Sequence, residues 1–437
     1  MTTPLQAALP NSDRDIANRL ARFAQTNNSL NLWPAISEQE LLAGRAVIES
    51  AVRQVLLGAV PSLGAENDGE VYVLRIAAFT TGTGALLGRW LHDGLVQATP
   101  GLRTLFAHEL DQGRRRSARI EREVLPAIDA LLARGITPVA QKGFHIARAY
   151  VEEPGVRPIA DVDLIVAPSR RDDAEQALRD AGFEPRGKPF TDPYKRSWRA
   201  THVSPRFHSL EGIDERDPWE IDLHTSFDRL TVKARAHLDV GAHHVQPLVV
   251  AGRTLLVPAQ PLLIQVLASQ LSADINSLRL MRVLDLVRVI RTDTAKGRLD
   301  WNEASDFMRQ SASLRFAYPA LALAEKLSPG TVPPRILEDA RNASSWGARQ
   351  TVSRLVPGGA SFATAGVVER LMWSRSPLEV LTTSIALVRG DTPFSLRPVL
   401  GRIRTLARRL GARGFALSQP DERRPALRDV TARNDGG

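Results

Sequence analysis

Between residues 38 and 132 apolar side chains recur at helical spacing. Leu41, Ile48, Val52, Val55 and Leu56 make one stripe, and Gly44 fills a gap on the same face. Residues 58–69 interrupt it with Gly, Pro and Asn, which predicts a loop. A second stripe over 114–132 predicts another amphipathic helix, with Ile120, Val124, Leu125, Ile128, Leu131 and Leu132 on one side.

After Gly135 the period changes. Residues 136–140 form a short apolar run that predicts a strand, ending at Gln141-Lys142-Gly143 where a helix takes over. Pro154-Gly155 marks a turn, and 161–166 alternates as a strand does. Ser169 is the expected N-cap of the next helix, with Asp172 as a short substitute for the usual N3 glutamate. That helix is expected to run to Ala181 and close at Gly182. Two more strands are expected near 197–203 and 219–227, and nothing outside 136–257 reads as sheet. From 261 to 291 the pattern is helical again, with Leu280, Val283, Leu284, Val287 and Ile290 on one face. Helical pattern continues past Lys326 and then weakens; no internal repeat is visible.

The fold class expected is therefore α+β, a small mixed β-sheet core flanked by N- and C-terminal helical regions. The expected division is a disordered start at 1–15, helices at 16–134, the sheet-bearing core at 135–257 and helices at 258–345. A basic helical region at 346–417 and a disordered tail at 418–437 complete it.

Composition narrows the function classes. The 437 residues contain no cysteine, which excludes disulfides, thiolate metal sites and a cysteine nucleophile. That is compatible with a reducing compartment, and a cytoplasmic location is expected, since the first residues lack the pattern of a signal peptide. No apolar run approaches the ~20 residues needed to span a bilayer. The net charge is +9, but the basic residues are six lysines and 51 arginines, a skew typical of high-GC coding. Residues 368–437 hold 13 arginines against seven acids, so most of the excess is local to a tail that reads as a solvated end.

The segment richest in chemistry is Arg157-Pro-Ile-Ala-Asp161-Val-Asp163-Leu-Ile-Val166. On a strand, residues i and i+2 share a face about 6.5–7 Å apart, so Asp161 and Asp163 project together while Val162, Leu164 and Val166 face a core. Trp219-Glu220-Ile221-Asp222-Leu223-His224 alternates as strictly, with Glu220, Asp222 and His224 on the polar face. If the two strands are neighbours, Asp222 supplies a third carboxylate. Three such acids can hold a pair of divalent cations for phosphoryl or nucleotidyl transfer. On Asp-x-Asp alone, an exposed strand face explains the acids equally well. Lys142-Gly143 stands where a strand hands over to a helix, a place that suits phosphate.

These stretches together resemble the uncharacterised nucleotidyltransferase family of the DNA polymerase beta-like nucleotidyltransferase superfamily. The resemblance rests on PVAQKGFHIARAY, GVRPIADVDLIV, a helix ending in DAGF, and WEIDLH, with LRLMRVLDLVRVI downstream, and covers about residues 80–330. It implies a metal-dependent enzyme that moves a nucleotidyl group from an NTP, such as ATP, to an acceptor. Asp161 and Asp163 would be metal-binding carboxylates and Asp222 the third acid, holding Mg²⁺ or Mn²⁺. Lys142 and Gly143 would occupy the place of the superfamily's Gly-Ser phosphate loop, a departure from its pattern, and Arg157 would sit near the nucleotide. Arg279, Arg282 or Asp285 would contribute to the cleft wall. His224 follows the third acid as the family pattern has it, with no catalytic role implied. The acceptor, a small molecule, a peptide or RNA, is left open, as is the oligomeric state.

Two rival readings keep the fold. One is a catalytically inactive nucleotide-binding or scaffold module, suggested by the missing Gly-Ser loop. The other is a toxin-like RNA-modifying nucleotidyltransferase that holds RNA with its basic C-terminal region. A metal-binding Asp-x-Asp glycosyltransferase ranks last, because its N-terminal run of parallel strands is absent. Other features carry no chemistry. The run from Thr81 to Gly88 has its third glycine one place late for a dinucleotide fingerprint and reads as helix packing or a turn. His237, His243 and His244 lack a metal-binding frame. No Gly-x-Ser-x-Gly or Walker A sequence is present.

Overall fold

The architecture was obtained as a computed structural model, which describes residues 13–26, 29–186, 195–201, 209–227, 244–273, 275, 278–358, 372–374, 376 and 378–381. The chain forms two compact units, residues 1–373 and 374–437, and the sheet with all its helices lies in the first. Of the start expected to be disordered at 1–15, residues 1–12 lie outside the described residues, while residues 13–15 are helical, opening the helix Asp13–Thr26. The tail at 418–437 and most of the basic C-terminal region beyond 358 also lie outside the described residues.

Helices α1 (Asp13–Thr26), α2 (Glu38–Leu56), α3 (Asp68–Thr81), α4 (Gly84–His92) and α5 (Pro100–Ala133) precede the sheet. Among them lie two short strands, β1 (Ser62–Leu63) and β2 (Gln97–Ala98). The sheet and its helices follow as β3 (Val139–Gln141), α6 (Lys142–Ala149), β4 (Asp161–Ile165), α7 (Arg171–Asp180), β5 (Phe183–Pro185), β6 (Lys195–Ala200), β7 (Glu220–His224), β8 (Val245–Val250) and β9 (Arg253–Pro258). Helices α8 (Leu262–Ala273), α9 (Leu280–Ala295), α10 (Trp301–Gln310), α11 (Leu314–Leu327), α12 (Pro334–Ala343) and α13 (Trp346–Arg354) close the unit.

The seven-stranded sheet runs β5-β6-β7-β4-β3-β9-β8. At its centre β4 and β7 are parallel, while β3 is antiparallel to β4 and β6 antiparallel to β7. The fold is thus α+β with a mixed sheet flanked by helical regions.

Two apolar clusters hold it. One joins α2–α4, the first half of α5 and α8–α12. The other packs Val162, Leu164, Ile221, Leu223 and Trp198 of the sheet on Ile120, Val124, Ile128 and Leu131 of α5 and Ala174 and Leu178 of α7. Helix α5 serves both, so it is the spine of the unit. At the strict alternation of β4 and β7, burying the apolar face leaves Asp161, Asp163, Glu220, Asp222 and His224 on the other.

Several expected boundaries move. The helix read at 114–132 begins at Pro100, where Thr99 is the N-cap and proline at the first position needs no N–H partner. The strand read at 136–140 is confined to Val139–Gln141. Ser169 does not cap α7; residues 168–170 form a 3₁₀ turn and the helix starts at Arg171 without a side-chain cap. Sheet outside 136–257 does exist, as the parallel β1–β2 pair, too short to leave a period in the sequence. Strands β5, β8 and β9 add to the four that alternation revealed.

The run from Thr81 to Gly88 is a turn and a packing site. Gly82 sits at φ +77, and a Cβ on Gly88 would lie 2.1 Å from the carbonyl oxygen of Phe106, so α4 rests directly on α5. Among the described residues no single helix is long and apolar enough to cross a membrane.

Glu109 of α5 is buried, and its Oε2 accepts from the backbone N–H of Ile213 at 2.9 Å. Burial pushes its carboxyl up from 4.5 to about 7, against the Ile213 hydrogen bond and the charge of Arg75. The folded chain therefore holds this proton where the unfolded chain has lost it. The contribution is fully present below pH 4.5 and is lost as pH rises to 7, about 3 kcal/mol in all. Glu109→Gln is expected to flatten that part of the stability profile, seen as a smaller difference between urea midpoints at pH 5 and pH 8. An unchanged difference would refute the assignment.

Candidate active site

Parallel pairing of β4 with β7 sets Asp161 opposite Glu220 and Asp163 opposite Asp222. Antiparallel pairing of β6 sets Ser197 opposite Asp222 and Lys195 opposite His224. A single face of three neighbouring strands therefore carries four acids, Asp161, Asp163, Glu220 and Asp222, with His224, Ser197 and Lys195. Lys142 enters from the β3–α6 junction, where its backbone adopts φ 52. That left-handed conformation is uncommon for a side-chain-bearing residue and belongs with sites that over-determine it.

The contacts are specific. The ammonium of Lys142 donates to Asp163 Oδ1, which also lies 2.8 Å from His224 Nε2. Lys195 forms an ion pair with Asp222 Oδ2, and the Ser197 hydroxyl donates to Asp222 Oδ1 at 2.6 Å. Asp163, Asp222, His224 and Lys142 are buried, whereas the Lys195 side chain is 38% exposed.

Burial pushes the Asp161 carboxyl up to about 6, reinforced by the charges of Asp163 and Asp222 and opposed by Lys142 and Lys195. Burial acts the same way on Asp163, but the His224 hydrogen bond and the Lys142 charge outweigh it and hold that carboxyl well below the usual range. Burial lowers His224 against its bond to Asp163, so the neutral ring donates Nε2–H and orients the carboxylate. For Lys195 burial acts downward, yet the adjoining Asp222 wins and raises it.

The donor set fits a hard divalent cation. Carboxylate oxygens suit Mg²⁺ or Mn²⁺. Ligand atoms of Asp163, Asp222 and His224 lie within 4.8 Å of one another. Asp161 is not in that close group, although it occupies the same strand face and interacts with Asp163 and Asp222 through charge.

From Lys142 a narrow cleft leads away from the acids, lined by Lys142, Gly143, Arg157, Gln270, Arg282 and Asp285, among others. Arg157 Nε and Nη2 both donate to Asp285 Oδ2, at 3.0 and 2.8 Å. This pair ties α9 to the turn before β4. A Cβ on Gly143 would come within 2.5 Å of Arg157 Nη1, so glycine lets the guanidinium cross the start of α6. Arg282 lines the cleft; Arg279 is not among its lining residues and acts instead on Arg45.

Sequence reasoning assigned no part to Lys195 or Ser197. The signal was present: in KRSWRA, Lys195, Ser197 and Arg199 alternate with Arg196, Trp198 and Ala200. Arg199 Nη2 donates to Glu220 at 3.0 Å, which explains that acid as a structural partner. His237 and His243 lie outside the described residues, and His244 is buried against Phe307, ring centroids 4.7 Å apart.

A sequence profile described as an uncharacterised nucleotidyltransferase matches residues 72–329. A search of curated proteins finds no match. Among solved structures, a solution structure of the antibiotic-resistance factor ANT(2'')-Ia is 13% identical, with a TM-score of 0.26, covering 52% of this chain and 91% of that one. A crystal structure of ANT(2'')-Ia in complex with adenylyl-2''-tobramycin is also 13% identical, with a TM-score of 0.25, covering 51% and 98%. At those scores the likeness carries no argument about substrate.

Proposed function

Because the chain belongs to the uncharacterised nucleotidyltransferase family, we propose that it transfers a nucleotidyl group from an NTP to an acceptor hydroxyl with the help of divalent cations. The observation that carries this reading is the register that sets Asp163 opposite Asp222 beside the cleft at Lys142. Asp161, Asp163 and Asp222 would hold the cations. Bound Mg²⁺ or Mn²⁺ supplies Lewis acidity at the α-phosphoryl group and lowers the pKa of the hydroxyl.

The chain's own residues then divide the work. His224 and Ser197 fix the carboxylates of Asp163 and Asp222. Lys142 and Arg282 supply positive charge for the triphosphate, and Arg157, held by Asp285, shapes the wall between them. The acceptor oxygen forms a bond to the α-phosphorus as the bond from that phosphorus to the bridging oxygen breaks. Pyrophosphate leaves, and the hydroxyl proton passes to a carboxylate of the acidic group. The acceptor's identity is not set by these residues.

The test is a thermal-shift titration with each NTP, with and without Mg²⁺, alongside pyrophosphate release in the presence of candidate acceptors. At 100 times the dissociation constant a nucleotide stabilises by about 2.7 kcal/mol. A shift that requires metal is expected in wild type and is expected to be lost in Asp161→Asn. Full turnover in Asp161→Asn would rule the mechanism out. Nucleotide binding without pyrophosphate release for any acceptor would favour the inactive nucleotide-binding module, for which the lysines seated on the acids are the specific observation.

A further inference from the structure

We infer that Lys142 and Lys195 are exchangeable counter-ions of the acidic site, seated on Asp163 and Asp222 until a divalent cation and a nucleotide enter together. The inference rests on the metal-dependent reading above. Each ammonium contacts a carboxylate oxygen that such a cation would need: Lys142 on Asp163 Oδ1, Lys195 on Asp222 Oδ2. Those two carboxylates are also held by His224 and Ser197, which are neutral and can stay in place. Three carboxylates facing one another are unfavourable without cations, because like charges at close range repel strongly in a poorly solvated site. The ammonium groups of Lys142 and Lys195 relieve that repulsion.

Both lysines also have somewhere to go. Lys142 lines the cleft as well as touching Asp163, so a modest rotation carries its ammonium from the acid to a phosphate. Lys195 lies at the open edge of the site, its side chain 38% accessible, and can turn from Asp222 to a phosphate of the entering substrate. A divalent cation alone must displace an ammonium that then lacks a partner. A divalent cation arriving with a triphosphate supplies that partner. Metal and nucleotide therefore bind with positive coupling, and metal alone binds weakly. Such coupling keeps the free acids from trapping cations and ties assembly of the site to the presence of NTP.

The experiment is a titration of the full chain with Mn²⁺, following free Mn²⁺ by electron paramagnetic resonance, with and without α,β-methylene analogues of the four NTPs. Wild type, Lys195→Met, Lys195→Gln and Asp161→Asn are compared. The nucleotide-free Lys195→Met protein is expected to bind Mn²⁺ about tenfold more tightly than wild type, and the analogue's enhancement of Mn²⁺ binding is expected to shrink by a similar factor. Lys195→Gln keeps a polar side chain without the charge and is expected to behave as Lys195→Met does. Unchanged or weaker Mn²⁺ binding in both Lys195 variants, with wild type still binding Mn²⁺ and analogue, would overturn the counter-ion role and leave the nucleotidyltransferase reading standing. No Mn²⁺ binding to wild type with any analogue would overturn the metal-dependent reading itself, and this inference with it.

Discussion

Asp163→Asn is expected to abolish nucleotidyl transfer and to destabilise the fold by about 3–5 kcal/mol, whereas Asp161→Asn should abolish transfer at almost no cost in stability. The two residues are neighbours on one strand face, but their surroundings differ. Asp163 is buried and receives Lys142 and His224 on a single oxygen. Removing its charge strands a buried ammonium, and a buried charge without its partner costs far more than the pair contributes when intact. Asp161 is only partly buried, is not in the close Asp163–Asp222–His224 group, and already resists ionisation, up to about 6. Neutralising it relieves repulsion from Asp163 and Asp222. Urea denaturation separates the variants: a large fall in midpoint for Asp163→Asn beside an unchanged or raised midpoint for Asp161→Asn. Both should lose transfer activity by at least ~10³, the scale on which removing one preorganised charge acts on a transition state. Equal midpoints for the two would show that the Lys142 contact does not balance the Asp163 charge. The contrast also makes Asp161→Asn the cleaner probe of chemistry, since its loss of activity cannot be blamed on unfolding.

The acidic site was legible because strand alternation is a strong local signal. In Asp161–Ile165 and Glu220–His224 every second residue is apolar and buried, so the acids could lie only on the other face. Neighbourhood of the two strands was a conditional guess, because pairing across 50 or more residues leaves no local trace. Lys195 escaped for the same reason: nothing near it in the chain points to Asp222, and only the β6–β7 ladder brings them together. Strands β8 and β9 were missed because Pro247 and the Ala251-Gly252 turn, with φ +46 and +78, break up a short apolar run. The 3₁₀ turn before α7 shows the limit of capping rules. Ser169 has the right chemistry for an N-cap, but Pro168 opens a tighter turn there and moves the helix start one residue on, to Arg171. The role of α5 was invisible too, since its first half packs on helices and its second on the sheet, and one amphipathic stripe serves both.

That double role makes Arg116, midway along α5, the residue outside the acidic group whose loss should matter most. Arg116→Met is expected to cost about 3–5 kcal/mol and to lower transfer by about 10² or more in the protein that remains folded. The guanidinium is buried and spends its donors on backbone carbonyls: Nε on Ile159 at 3.1 Å, Nη1 on Asp217 at 2.5 Å and Asp214 at 3.5 Å, and Nη2 on Pro218 at 3.1 Å. Ile159 stands two residues before Asp161, and Pro218 two before Glu220. One side chain thus fixes the entry of both acid-bearing strands and, through them, the separation of Asp161, Asp163 and Asp222. Methionine fills the space but offers no N–H, so buried carbonyls lose their partners at about 1–3 kcal/mol each. Arg119, which donates to Asp217 at 2.8 Å from the next turn, holds the same loop by one carbonyl and should matter less. Arg116 touches neither nucleotide nor acceptor on this reading, so it is a positioning residue. Its variant should lower the rate of pyrophosphate release and loosen Mn²⁺ binding together, with Arg116→Lys restoring little because an ammonium cannot span the same fork. Wild-type rates and wild-type Mn²⁺ affinity in Arg116→Met would show instead that the register of β4 with β7 holds the acids without help from α5.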